Sequence, residues 1–309
     1  MKKREEVYYG QKLEPAAGKI LHGAGQSSHE FYNYYQALNT PPLIYMSYCG
    51  LRGDIEAFFD RLIAQLEQYP DRFLIPQIGL SMTKDGAPEE HYEHRVAAGA
   101  YDQQIEAFCK GLRRLGRPVF LRVGYEFNGH WNGYEAESYQ LAWQRIATAL
   151  WDHGLEEVAL VWCYAPDDTE SDVMSYYPGD EFVDWWSVDC LDAEHFTSRG
   201  TRTFVQEADQ RGYPVMIGES TPRYVGVLDG LFCWNKWFIP YFRFMEKYPN
   251  VKAFCYISWD WVAYPQWKRW GNCRINDNPE VLELYQAELL KDRYLHASDE
   301  QTTREMLNL

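Results

Sequence analysis

No stretch of the 309-residue chain approaches the roughly 20 consecutive apolar residues that a membrane-spanning helix needs. No CxxC pair is present either, because the seven cysteines stand singly between Cys49 and Cys273. That spacing suggests neither a zinc knuckle nor a disulfide framework. Several cysteines lie inside apolar runs, as Cys255 does in FCYISW, and read as small buried hydrophobes. Free thiols suit a reducing compartment. Positive charge is scarce: 30 Lys and Arg against 45 Asp and Glu leave a net charge of −15. A nucleic-acid partner needs a basic face that displaces counterions from phosphates, so none is expected. The opening MKKREEVYYGQKLEP lacks the apolar segment of a signal peptide, which makes the cytoplasm the expected location; a mature form trimmed of its leader would read the same. Low-complexity tracts, short repeats and Pro/Gly/Ser linkers are missing as well. One domain over 1–309 is therefore expected, with residues 1–16 and 296–309 as terminal extensions.

Aromatic residues are abundant, at 17%, with 12 Trp and 24 Tyr. Many must be core, but flat rings also suit the apolar faces of sugars, while Tyr OH and Trp NH keep a polar handle. Apolar or β-branched runs recur near 18–23, 43–48, 73–78, 118–124, 158–164, 183–189, 213–218 and 251–258. Amphipathic segments separate them. In 53–69, Ile55, Phe58, Phe59, Leu62, Ile63 and Leu66 fall at helical spacing; 100–116 repeats the pattern and ends in Gly. The connection 165–182 reads as loop. Eight βα units predict an α/β fold, a closed (β/α)8 TIM barrel. An open doubly wound sheet is the alternative, but no Gly-rich phosphate fingerprint follows the first strand, and no cofactor is expected.

In such a barrel, polar residues just past the C-terminal strand ends face the active site. Glu126 stands there in PVFLRVGYEFNGHW, with Arg122 on the same strand, and Glu219 stands there in YPVMIGES. Strands 4 and 7 lie across the barrel from each other. Two carboxylates about 5–5.5 Å apart would serve retaining glycoside hydrolysis, one as nucleophile and one as acid/base. Structural ion pairs would explain two such residues equally well.

The same segments resemble family 26 of the glycoside hydrolases, clan A barrels that include β-mannanases, β-1,3-xylanases and mixed-linkage glucanases. Gly99, Tyr101 and Asp102 match the family's entry to the helix before strand 4. Arg122, Glu126, Asn128, Gly129 and Trp131 match its acid/base segment. Tyr177 to Asp180, Asp184 and Asp189 match the approach to strand 6, IGES matches the nucleophile segment, and YISWDW matches strand 8. The resemblance implies a retaining hydrolase of a β-linked oligosaccharide or polysaccharide, with Glu126 as acid/base and Glu219 as nucleophile. A transglycosylase, or a carbohydrate-binding barrel without catalysis, is the alternative. Tyr125 stands where the family has His, and Leu191 where it tends to have a Tyr that touches the nucleophile. Both changes make a plain β-1,4-mannanase an unsafe expectation.

Other candidate substrate-binding residues are Arg122, Tyr125, Asn128, Trp131, Trp162, Tyr164, Trp259 and His22, with Trp259 as floor for the central sugar. HYEH at His91–His94 matches no zinc signature and reads as a solvated loop, so no metal is expected. Trp234, Trp237 and Phe238 are at helical spacing and read as core.

Overall fold

The computed structural model describes residues 6–84, 87–167 and 172–309. Residues 1–5 of the expected N-terminal extension and 168–171 of the 165–182 connection lie outside the described residues. Eight parallel strands pair in chain order: β1 (Ile20–Gly25), β2 (Ile44–Gly50), β3 (Ile75–Ser81), β4 (Val119–Val123), β5 (Val158–Tyr164), β6 (Trp185–Cys190), β7 (Val215–Ser220) and β8 (Val251–Ile257). Strand β1 bonds to both β2 and β8, which closes the barrel. The expected runs were offset from these strands by a few residues at most.

Strand side chains alternate between two layers, as the period of two requires. Along β5, Ala159 and Val161 join the inner core, while Val158, Leu160, Trp162 and Tyr164 face outward. The outer layer packs against α1 (Ser28–Ala37), α2 (Ile55–Leu66), α3 (Glu93–Ala97), α4 (Asp102–Leu115), α5 (Ala136–Asp152), α6 (Arg199–Arg211), α7 (Leu231–Cys233), α8 (Ile239–Lys247) and α9 (Pro279–Leu289). Local chemistry sets their ends. Asp54 caps α2 by accepting from the Ala57 amide. Gly116 closes α4 at φ 62°, the left-handed conformation that glycine adopts without penalty. A π-helical turn, Trp234–Phe238, joins α7 to α8 and buries Trp237 and Phe238, as their spacing suggested.

Among the described residues, β5 and β6 are joined only by the short 3-10 turns Val173–Tyr176 and Asp180–Phe182. Rings occupy the width a helix would fill: Trp162 stacks on Phe127 at 4.4 Å and meets Trp186 at 4.8 Å, and Trp186 meets Phe204 at 4.6 Å. This layer absorbs much of the aromatic excess.

The described parts of the terminal extensions pack as a plug at the N-terminal end of the barrel. Leu13 and Leu307, beyond α10 (Glu300–Met306), are buried in the inner core. Glu14 and Lys252 form a fully buried ion pair at 2.7 Å, and the Tyr9 and Gln11 amides also donate to Glu14. The two-residue strand β9 (Tyr294–Leu295) bonds to β1. Among the described residues no helix is long and apolar enough to cross a membrane.

Candidate active site

Past β4 the backbone turns sharply through Gly124, at φ 50°, and Glu126, at φ 53°. A non-glycine residue in this left-handed region costs on the order of 1–2 kcal/mol. The cost is met locally: the Asn132 side chain donates to the carbonyls of Tyr125 and Glu126, both at 3.0 Å, and the Gly129 amide donates to the Glu126 carbonyl at 2.9 Å. Phe127 drops outward onto Trp162. Glu126 stays at the mouth, where Trp131 Nε1 donates to its Oε2 at 2.8 Å. Burial pushes the Glu126 carboxyl well above the ordinary range, and the charges of Asp189 and Glu219 push it further. The Trp131 hydrogen bond and Arg122 oppose this without cancelling it.

Glu219 rises from β7 near a register irregularity between Ile217 and Ser220, and a second one lies between Val188 and Asp189 on β6. Such bulges re-aim side chains. Arg122, fully buried inside the barrel, donates to Glu219 Oε1 at 2.9 Å, to Cys163 Sγ at 3.0 Å and to Asp189. Burial works against the Arg122 charge, but Asp189, Cys163 and Glu219 more than offset it and hold the guanidinium protonated. Burial, aided by Glu219, pushes Asp189 up to about 7 against the pull of Arg122. Gly218 makes room for this cluster. A Cβ there would lie 2.5 Å from Ser187 Oγ, 2.8 Å from Asp189 Oδ1 and 3.1 Å from Arg122 Cζ.

Tyr48 on β2 and Tyr125 lean together over Gly79, their ring centroids 5.5 Å apart. Burial and the nearby negative charge of Glu219 keep the Tyr48 phenol protonated. A tyrosine from β2 thus reaches Glu219, while Leu191 is buried with its carbonyl accepting from the Arg223 amide and Trp237 Nε1. Sequence reasoning missed Tyr48, although its place near the end of the run LIYMSY was a usable signal. It also left Asp189 out of the site residues.

Of the other candidates, Trp259 is partly exposed at the mouth beside Trp261 and Tyr264. Five of these residues need correction. Trp162 and Tyr164 face outward from β5 and are only 0% and 2% exposed, so the strand period turns them away from any sugar. His22 also faces outward, its ring bonded to Tyr34 at 2.7 Å and His296 at 3.0 Å. Asn128 is buried and clasps Ala165, accepting from its amide at 2.8 Å and donating to its carbonyl at 2.9 Å. Arg122, placed among substrate contacts, is sealed beneath the carboxylates and acts through them. The HYEH segment is not a solvated loop throughout. Glu93 is fully buried and accepts from His91, the Glu135 amide and Ser138, which ties α3 to the start of α5. Its oxygens are occupied, although His91, Glu93 and His94 bring ligand atoms within 4.8 Å of one another.

The family model for glycosyl hydrolase family 26 matches residues 81–220, a span that includes both carboxylates. A β-1,3-xylanase from an Alcaligenes species is 26% identical, across 93% of this chain and 67% of that protein. A second β-1,3-xylanase, from a Vibrio species, is also 26% identical, across 94% of this chain and 68% of its own length. Among solved structures, a Bacillus subtilis mannanase superposes with a TM-score of 0.63 at 16% identity, covering 90% of this chain and 87% of that one. The chain is a glycoside hydrolase, similar to family 26 across the segment that carries both carboxylates.

Proposed function

We propose that the protein hydrolyses a β-linked glycan by double displacement, with Glu219 as nucleophile and Glu126 as acid/base. The observation that carries this is the opposed surroundings of the two carboxyls. Glu126 is pushed up towards its protonated form, while Glu219 receives a hydrogen bond from a buried cation. Unlike environments at one site mark acid and nucleophile. In the first step a Glu219 oxygen bonds to the anomeric carbon, the glycosidic C–O bond breaks, and the Glu126 proton passes to the leaving oxygen. In the second, Glu126 takes a proton from water, the water oxygen bonds to the anomeric carbon, and the ester to Glu219 breaks. Two inversions leave the configuration retained. Arg122 positions Glu219 by donating to its Oε1, and the Tyr48 phenol lies close enough to feel its charge.

β-1,3-Xylan is the first substrate to test, because two relatives that match more than nine-tenths of this chain are β-1,3-xylanases. Mannan and mixed-linkage glucan follow. Incubation with each, read by proton NMR of the first anomer released, should give the β-anomer from one of them. Initial release of the α-anomer would overturn the double displacement.

A further inference from the structure

Four successive loops at the C-terminal face are joined by a line of contacts that the two carboxylates do not use. Asp167 follows β5, His195 follows β6, Arg223 follows β7 and Trp270 follows β8. Arg223 grips Asp167 with two nitrogens, and His195 Nε2 lies 3.4 Å from Arg223 and 3.5 Å from Asp167. Although burial pushes Asp167 up, these hydrogen bonds hold its carboxyl well below the usual range. The Arg223 guanidinium is itself flanked by rings: its Cζ lies 5.0 Å from the centre of Tyr224 and 5.2 Å from that of Trp270.

Tyr224 is the unusual member. It is 56% exposed and adopts φ 67°, four residues beyond Glu219's neighbour Ser220. A tyrosine gains nothing from that backbone, which favours glycine. Neighbouring bonds impose it: the Tyr224 amide donates to the Trp270 carbonyl at 3.1 Å, and the Gly226 amide to the Pro222 carbonyl at 2.8 Å. A strained backbone that holds an aromatic ring in water is a mark of a binding surface.

We propose that Tyr224 and Trp270, set around Arg223, form a subsite for a neutral sugar unit of the glycan, away from the bond being cleaved. Ring faces take the apolar side of a pyranose. The part-exposed Asp167 carboxylate accepts from hydroxyls and repels a uronate, and Arg223 is already neutralised by it. The subsite rests on the glycan-hydrolase function proposed above, and it extends the cleft towards the β7 and β8 loops.

The test compares β-1,3-xylohexaose with β-1,3-xylotriose for the full-length protein and its Tyr224→Ala, Tyr224→Gly and Tyr224→Phe variants. Loss of one stacking ring should lower the ratio of kcat/KM, hexaose over triose, roughly fivefold to tenfold in the Ala and Gly variants. Phe should keep most of the ratio. Gly relieves the backbone strain, so its melting temperature should not fall while its ratio does. An unchanged ratio in Ala and Gly, or recovery in Gly, would overturn the subsite. If the wild type cleaves neither oligosaccharide, the substrate assignment fails on its own. The subsite is then read by electrophoresis through gels containing soluble mannan, mixed-linkage glucan or polygalacturonate. Retardation in a neutral gel that Tyr224→Ala loses supports it. Equal mobility of both proteins in the neutral gels, or Tyr224-dependent retardation in polygalacturonate alone, overturns it.

Discussion

Arg122 and Asp189 form an ion pair in which neither side chain is exposed, and the other end of the guanidinium reaches Glu219. Breaking one partner of a buried pair is costly because the remaining charge is stranded. Burial of Asp189, only partly opposed by Arg122, also makes stability depend on pH. An unfolded Asp titrates near 3.9, whereas Asp189 titrates at about 7 in the fold. Between those values the folded state holds the extra proton, so stability contributed here is lost as pH rises towards about 7 and levels off above it. Asp189→Asn cannot ionise and should lack that slope. Urea unfolding of both proteins from pH 5 to 8 should show the variant gaining on the wild type up to about pH 7; parallel curves would refute the assignment.

Trp131 has a measurable electrostatic task. Its indole donates to Glu126 and favours the carboxylate, opposing the upward push of burial. Trp131→Phe removes the donor, so the Glu126 proton should be held to still higher pH. The alkaline limb of the kcat/KM profile, which reports loss of the catalytic acid in free enzyme, should therefore move upward. A limb that stays in place or moves down would show that Trp131 acts by packing alone.

Trp162 and Trp259 should separate cleanly. Trp162 lies wholly within the outer aromatic layer, and Trp162→Ala should cost about 3–5 kcal/mol of stability. Trp259 is partly exposed at the mouth, so Trp259→Ala should cost much less stability and lower kcat/KM by at least tenfold. Chemical denaturation beside kinetics at 20 °C decides both. A Trp259 variant as unstable as the Trp162 variant would place the ring in the core.

The strands were legible because each is a short apolar run, and the helices because their buried residues recur at 3.6. Which way a strand residue faces was less legible. Trp162 and Tyr164 stand one residue to either side of Cys163, which points inward to Arg122. A shift of one residue exchanges the faces, and near-continuously apolar barrel strands hide that parity. Asn128 looked like a sugar ligand because it follows Glu126, but its amide matches the backbone of Ala165, a long-range pairing that no local pattern announces. Tyr48 was hidden for the same reason: it meets Glu219 only once β2 and β7 share a barrel.

The two carboxylates should be separable by role. Glu219→Ala removes the nucleophile, so no glycosyl-enzyme should form on an activated aryl glycoside of the cleaved sugar. Added azide should restore turnover and give a product of inverted configuration, because one displacement now replaces two. Glu126→Ala should still attack a dinitrophenyl glycoside, whose leaving group needs no proton, and should then stall at the glycosyl-enzyme. There azide should speed the second step and give a product of retained configuration. Mass spectrometry of the trapped protein should find the added sugar on Glu219 in the Glu126→Ala variant and on no residue in the Glu219→Ala variant. The reverse pattern would exchange the two roles, and wild-type turnover in either variant on an unactivated glycan would place catalysis elsewhere.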